Sequence, residues 1–317
     1  MSRDYHQIEW DEGVEAAWRE IVRLAVREDL ARAYDWTTVL LVPDDAVGRA
    51  ALVARQAGIV AGLPAGRVVL AEFDPAAEWT PLVAEGQAVA AGTPIARIAG
   101  PARSLLTAER TLLNAVCRLS GIATLTRRFV EAAAGTKARI YDTRKTLPGW
   151  RLVDKYAVRM GGGYNHRLGL FDGLLIKDNH LAFGAEATGT ARFTPAAAVR
   201  RLRQFLNELP AADPRKSLLV EVEVDTLEQL DAILAGGADG PPEIALPDIV
   251  LLDNMPAETL AEAVRRRDAA APGVELEASG GVSMETVAAI ARSGVERISA
   301  GALTHSSPWL DIGLDWE

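Results

Sequence analysis

Cysteine is almost missing from this chain: Cys117 stands alone among 317 residues. One thiol excludes an intrachain disulfide and any zinc site built on several cysteines. Positive charge is also scarce, with 34 Lys and Arg against 43 Asp and Glu and a formal net charge of −9. So acidic a chain lacks the basic surface that general binding to nucleic acid or anionic membrane requires. No uninterrupted apolar run is long enough to span a bilayer. The opening MSRDYHQIEWDEG has no apolar centre of a secretory signal. A soluble, cytoplasmic protein is expected, without nucleic-acid or membrane partners.

What is present is a local exception to the acidity. From Arg139 to Lys177 there are eight Lys or Arg against three acids, a local excess of five positive charges. A basic island in an acidic chain reads as a pocket for a small, highly charged anion. Arg151, Lys155 and Arg159 are spaced by four and also fit a solvated helix face. Arg144, Lys145 and Lys177 follow apolar runs and fit that alternative less well. The segment GGGYNHRLGLFDGLLIKDNH poses the question most sharply, with an arginine and two histidines around a run that ends on Lys177.

With 49% apolar residues the chain can bury one large core and a smaller second one. In the first section an amphipathic helix is expected over 11–29 and another over 64–73. The stretches YDWTTVLLVPDDAVGRAALVARQAGIVAGLPAG and EWTPLVAEGQAVAAGTPIARIAGP read as short strands punctuated by Gly and Pro. A long helical region begins near Pro101, is expected to break near Gly121, and continues to Ala134.

Beyond it, short apolar runs alternate with helical stretches. ARIYD, GLLIK, LLVEVEV, DIVLLD, VELEAS and ERISAG are the expected strands. Helices are expected over 149–160, 194–208, 226–235, 256–268 and 283–293. This alternation means parallel βαβ units. Each run ends in groups able to do chemistry: Thr143-Arg144-Lys145, Lys177, the acids Glu221, Glu223 and Asp225, Asp253, Ser279-Gly280-Gly281, and Ser299-Ala300-Gly301. Such groups at the C-terminal ends of many strands favour an α/β barrel over a doubly wound sheet, which gathers its ligands at one switch point.

Side chains alternate along a strand, so Val220, Val222 and Val224 face the helices while Glu221, Glu223 and Asp225 face the interior. Buried carboxylates need cations. For Glu221, deeper in the strand, a structural ion-pair network is a strong reading. Glu223 and Asp253 suit Mg²⁺, which takes one or two carboxylates plus substrate phosphates. The two glycine loops after the last strands suit phosphate, because small residues let backbone N–H groups approach an anion.

The segments DTRKTLPGWR, GGGYNHR…LIKDNH, AERTLLNAVCRLSGIAT, VEVEVDTLEQL, IVLLDNM, EASGGVS and ISAGALTHS together resemble the quinolinate phosphoribosyltransferase family, and the likeness covers nearly the whole chain. It implies an N-terminal α/β sandwich, residues 1–111 joined by the tail 305–317, and an irregular α/β barrel of about six parallel strands over 112–304. It implies joining of quinolinate to phosphoribosyl pyrophosphate with loss of CO₂, with Mg²⁺ as cofactor, in a homodimer that shares its active site across the interface. On this resemblance Arg144, His166, Arg167 and Lys177 bind quinolinate, and Arg110 reaches the site from the partner. Lys145, Glu223 and Asp253 surround the ribose, pyrophosphate and metal, with Thr143 beside them. Ser279, Gly280 and Gly281, and Ser299, Ala300 and Gly301, form the phosphate loops.

Two alternatives share some of these residues. A paralogue associated with molybdate transport has the same fold. A Schiff-base barrel enzyme would use Lys177 as nucleophile and needs its pKa lowered. Tyr34-Asp35 stands where the family often has Gly-Asp. Residues 236–248 look like a surface-loop insertion without loss of function. His180 reads equally as a structural hydrogen-bonding residue and as a substrate contact, and Cys117 as core.

Overall fold

The computed structural model describes residues 4–188, 193–236 and 246–317, the side chains of 185–188 excepted. Residues 237–245 of the expected surface insertion lie outside them. The chain forms two compact units. One comprises 7–130, 145–164 and 302–317, the other 1–6, 131–144 and 165–301. The expected boundary at 111/112 falls inside a single helix, and the segment around Tyr5 groups with the barrel instead of the sandwich. No helix among the described residues is long and apolar enough to cross a membrane.

Elements are numbered in chain order. The first unit contains α1 (Glu12–Leu30), α2 (Trp36–Leu41), β1 (Val47–Ala54), β2 (Gly58–Ile59), α3 (Leu63–Phe73), β3 (Glu78–Pro81), β4 (Ala88–Val89), β5 (Pro94–Pro101), α4 (Ala102–Ala132), α5 (Arg151–Met160), α11 (Ala302–His305) and β12 (Ile312–Trp316). Its main sheet is antiparallel in the order β12-β1-β5-β3, with β12 of the C-terminal tail pairing β1. Asp11 caps α1 by accepting the Val14 N–H at 2.8 Å. The buried face of α1, Val14, Trp18 and Val22, packs at helical spacing.

Two local expectations fail here. WTTVLL is helical, not extended, because Asp35 accepts the Thr38 N–H at 3.1 Å and starts a helix where the β-branched residues suggested a strand. The α4 helix does not break at Gly121. The glycine is there because a Cβ would overlap the Pro308 carbonyl oxygen of the returning chain. Cys117 lies buried in α4, as expected for core.

The second unit carries β6 (Arg139–Tyr141), β7 (Leu174–Ile176), α6 (Asp178–Thr188), α7 (Pro195–Glu208), β8 (Val220–Val224), α8 (Leu227–Ala235), β9 (Ile249–Asp253), α9 (Ala257–Ala270), β10 (Glu275–Ser279), α10 (Val287–Arg292) and β11 (Arg297–Ser299). All six expected strands form. They make one parallel run in the order β6-β11-β10-β9-β8-β7, the irregular barrel. No ladder joins β6 to β7 among the described residues, so a seam remains between them. Val220, Val222 and Val224 are buried under the helices and Glu221 points inward, as the alternation required. The helix α6 directly after Lys177 was not expected.

Candidate active site

The interior of the barrel unit is built from charge. At the N-terminal ends of the strands, the Asp4 carboxylate accepts from Arg139 Nη1 at 3.0 Å, Tyr141 Oη at 2.7 Å and Arg297 Nη1 at 3.0 Å. Arg139 also donates to both oxygens of Glu275 at 2.8 and 2.9 Å. One layer higher, Arg297 Nε donates to Glu277 at 2.9 Å, and its guanidinium lies 3.8 Å from the centroid of the Tyr141 ring. Tyr5 donates its hydroxyl to Glu221 at 2.5 Å. Each buried acid therefore meets a donor or cation, the condition for keeping charge inside a protein.

His166 closes this network from above. Its Nε2 faces Glu221 at 3.1 Å and Glu277 at 3.4 Å. Its Nδ1 accepts the Arg167 N–H at 2.8 Å, which needs a lone pair there and keeps the ring proton on Nε2. Burial lowers the His166 pKa and the Glu221 and Glu277 carboxylates raise it, while the Arg167 N–H, which only an uncharged ring can accept on Nδ1, favours the neutral form. Burial likewise raises Glu277, yet His166 and Arg297 hold it down at about 2. The segment is pinned further by Asp142, which accepts the His166 N–H at 2.9 Å and the Asn165 side-chain amide at 2.7 Å.

His166, Glu221 and Glu277 lie close enough to hold a metal ion between them. Their other partners argue against a divalent cation. Arg297 occupies one Glu277 oxygen and the Tyr5 hydroxyl one Glu221 oxygen, so an added ion would face a buried guanidinium. This is a structural ion network, as foreseen for Glu221.

The C-terminal rim differs. Arg144 follows β6, and its buried Nε has no hydrogen-bond partner among the described residues. Arg167 is buried, and its pKa is lowered by burial and by the positive charge of Arg144. Glu221 and Asp172 attract Arg167 from a distance, but among the described residues neither arginine forms an ion pair. At the ends of β7 and β8, Lys177 and Glu223 form an ion pair. Asp253, at the end of β9, accepts the Asn254 side-chain amide at 2.6 Å. Glu223 and Asp253 thus sit on neighbouring strands and offer the hard oxygen donors that Mg²⁺ takes.

The glycine loops differ in part from expectation. Gly280 has φ +84°, and a Cβ there would overlap the Asn254 side chain, so glycine is required at this close approach. The backbone turns over 284–286 before α10 starts at Val287, so Ser279-Gly280-Gly281 is not itself a helix N-terminus. In the other loop, Ser299 and Ala300 are buried and the Ala300 N–H donates to the Tyr141 carbonyl at 2.9 Å. That amide is used within the sheet, leaving Gly301 as the more accessible end of the loop.

Of the expected site residues, Thr143, Arg144, His166, Arg167, Lys177, Glu223, Asp253 and both loops belong to the barrel unit. Arg110, exposed on α4, and Lys145, whose carbonyl accepts Thr304 Oγ1 at 2.8 Å, belong to the other. His180 accepts the Lys177 N–H on Nδ1 at 3.0 Å, so it fixes the turn after β7. A largely apolar cavity of about 410 Å³ between β7, α6 and α7 is lined by Arg167, Leu174, Ile176, His180, Phe193 and Arg201. It touches the site only through Arg167, since Glu223 and Asp253 do not line it.

Sequence reading missed Tyr5, Asp142, Glu277 and Arg297. The signal for Glu277 was available. In ELEAS the acids alternate with Leu276 and Ala278 as they do in VEVEV, so they share its inward face.

Comparison with known proteins gives one consistent result. A family model described as quinolinate phosphoribosyl transferase, C-terminal domain, matches residues 122–315, and the corresponding N-terminal domain matches 35–120. The chain is 47% identical over 301 residues to a nicotinate-nucleotide pyrophosphorylase (carboxylating) of Mycobacterium leprae, covering 94% of this chain and 97% of that one. It is 38% identical over 303 residues to a quinolinate phosphoribosyltransferase (decarboxylating) of Nicotiana tabacum, covering 93% and 81%. The solved nicotinate-nucleotide pyrophosphorylase of Francisella tularensis superposes with a TM-score of 0.83 at 35% identity, covering 99% of this chain and all of that one.

Proposed function

The chain belongs to the quinolinate phosphoribosyl transferase family, and from that premise we propose that its barrel rim carries out phosphoribosyl transfer to quinolinate with decarboxylation, a step of NAD biosynthesis. The observation that carries the assignment of the pocket is the pair Arg144 and Arg167, two guanidinium groups close enough to repel one another that form no ion pair among the described residues. Facing cations in a buried place are costly unless an anion joins them. Quinolinate has two adjacent carboxylates, and arginine grips a carboxylate with two parallel hydrogen bonds.

The remaining groups divide the chemistry. Lys177 and Glu223 neutralise one another at rest. A substrate carboxylate competes for the Lys177 ammonium and leaves the Glu223 carboxylate to face the ribose. As the bond from ribose C1 to pyrophosphate breaks, positive charge builds on the ribose, and Glu223 stabilises it. The quinolinate ring nitrogen, oriented by Arg144, Arg167 and Lys177, forms the new bond to C1, which is chiefly a task of positioning. Lys145 stabilises the departing pyrophosphate. Glu223 and Asp253 would hold Mg²⁺ together with substrate phosphates, where the ion neutralises charge on the leaving group. The bonded ring nitrogen is then cationic and stabilises the electron pair left on the adjacent ring carbon as CO₂ departs, and that carbon takes a proton from water to give nicotinate mononucleotide. The Lys177–Glu223 pair opposes a Schiff-base role, since a nucleophilic lysine must lose its proton.

The proposal includes a homodimer in which Arg110 of one subunit completes the other's site, and a cytoplasmic location. Both rest on the sequence reading. Arg110→Ala and Lys177→Ala proteins should each be inactive, and mixing them should restore part of the activity, because one hybrid site keeps both residues. No recovery in hybrids would count against a shared site.

The direct test mixes protein, quinolinate, phosphoribosyl pyrophosphate and Mg²⁺, follows CO₂ and nicotinate mononucleotide together, and uses nicotinate as control. Both products, dependent on Mg²⁺ and not matched by nicotinate, support the proposal. Binding of phosphoribosyl pyrophosphate without turnover would transfer the assignment to another ring substrate.

A further inference from the structure

Tyr5 lies far from every expected substrate contact in sequence, yet it touches the one buried histidine of the site from below. Its ring stacks on His166 with centroids 4.6 Å apart and planes at 29°. Its hydroxyl donates to Glu221, whose carboxylate also faces His166 Nε2. Both polar ends of the His166 ring are therefore engaged inside the protein: Nε2 by Glu221 and Glu277, Nδ1 by the Arg167 amide. The residue is 6% exposed. It holds the backbone from which the Arg167 guanidinium departs. If the ring shifted, the Arg167 N–H would lose its partner in a buried place, an outcome folded chains avoid. Asp4, beside Tyr5, is tied to Arg139, Tyr141 and Arg297, so the tyrosine stands on a fixed base.

We propose that Tyr5 is a positioning residue for the quinolinate pocket, acting through the Glu221–His166 contact to fix the Arg167 backbone and so the guanidinium it carries. The proposal rests on the function assigned above. It places His166 as a relay between the barrel floor and Arg167, in addition to any contact with substrate.

Tyr5→Phe keeps the ring and removes the hydroxyl. It should fold, raise the KM for quinolinate about tenfold, the scale of one lost hydrogen bond, and leave the KM for phosphoribosyl pyrophosphate unchanged. A general structural defect would move both constants or lower kcat alone. The second readout is on the resting protein. In the wild type, NMR of the labelled imidazole should show one ring form with a slowly exchanging Nε2 proton, and in Tyr5→Phe that proton should exchange at least several-fold faster. Tyr5→Leu removes the stack as well and should have the larger effect on both readouts. Unchanged proton exchange in Tyr5→Phe and Tyr5→Leu overturns the proposal, as does an unchanged ratio of the two KM values in an active enzyme. If the wild type failed to turn over quinolinate while exchange still responded to Tyr5→Phe, the assigned function would fall and the positioning role would stand.

Discussion

The floor and the rim of the barrel use the same residue types to opposite ends. On the floor, Asp4, Glu275 and Glu277 are matched by Arg139 and Arg297 within hydrogen-bonding distance. On the rim, Arg144 and Arg167 meet each other instead. Charge is therefore no guide to function by itself; what separates the regions is whether the chain supplies the counter-charge. The floor pairs its charges within the protein, although Arg297 Nη2 and Glu277 Oε1 have no hydrogen bond among the described residues, while the rim leaves its two arginines without an ion pair there.

The sharpest way to break this contrast is Arg297→Met. It strands Glu277 and half of Asp4 without a cation, and loss of one partner of a buried pair typically costs about 3–5 kcal/mol. Urea unfolding should show that loss; a change under about 1 kcal/mol would mean the floor is not held by these pairs. Next is Arg167→Ala. Removing one of two facing cations should leave stability unchanged or slightly improved, whereas kcat/KM for quinolinate should fall about 10²–10³-fold, as for a lost buried charge contact. Equal damage to both would place Arg167 with the floor.

Much of the barrel was readable because its signals are local. VEVEV alternates, IVLLD runs apolar to a terminal acid, and helices fit the gaps, so six strands and their rim residues could be placed from sequence. The failures have two causes. Short-range chemistry overrode composition at Asp35, whose cap turns WTTVLL into a helix. Long-range contact decided the others: Gly121 is kept small by a chain segment nearly two hundred residues later, and the floor stayed hidden for the same reason. Tyr5 and Glu221 are 216 positions apart, and no periodicity connects them. Arg297 and Glu277 lay in expected strands, but their pairing depends on strand order, which only the fold reveals.

The seam between β6 and β7 has a consequence of its own. In a closed ring of strands every peptide unit at the wall is committed to a ladder, and irregular backbone cannot enter. Here the gap admits the loop 165–167, stitched to Asp142 by the His166 amide and the Asn165 side chain. Those are the peptide units that deliver His166 and Arg167 to the interior. The break in the ladder thus leaves room for a loop whose hydrogen bonds go to a side chain, and that loop brings two of the expected site residues to the end of β6.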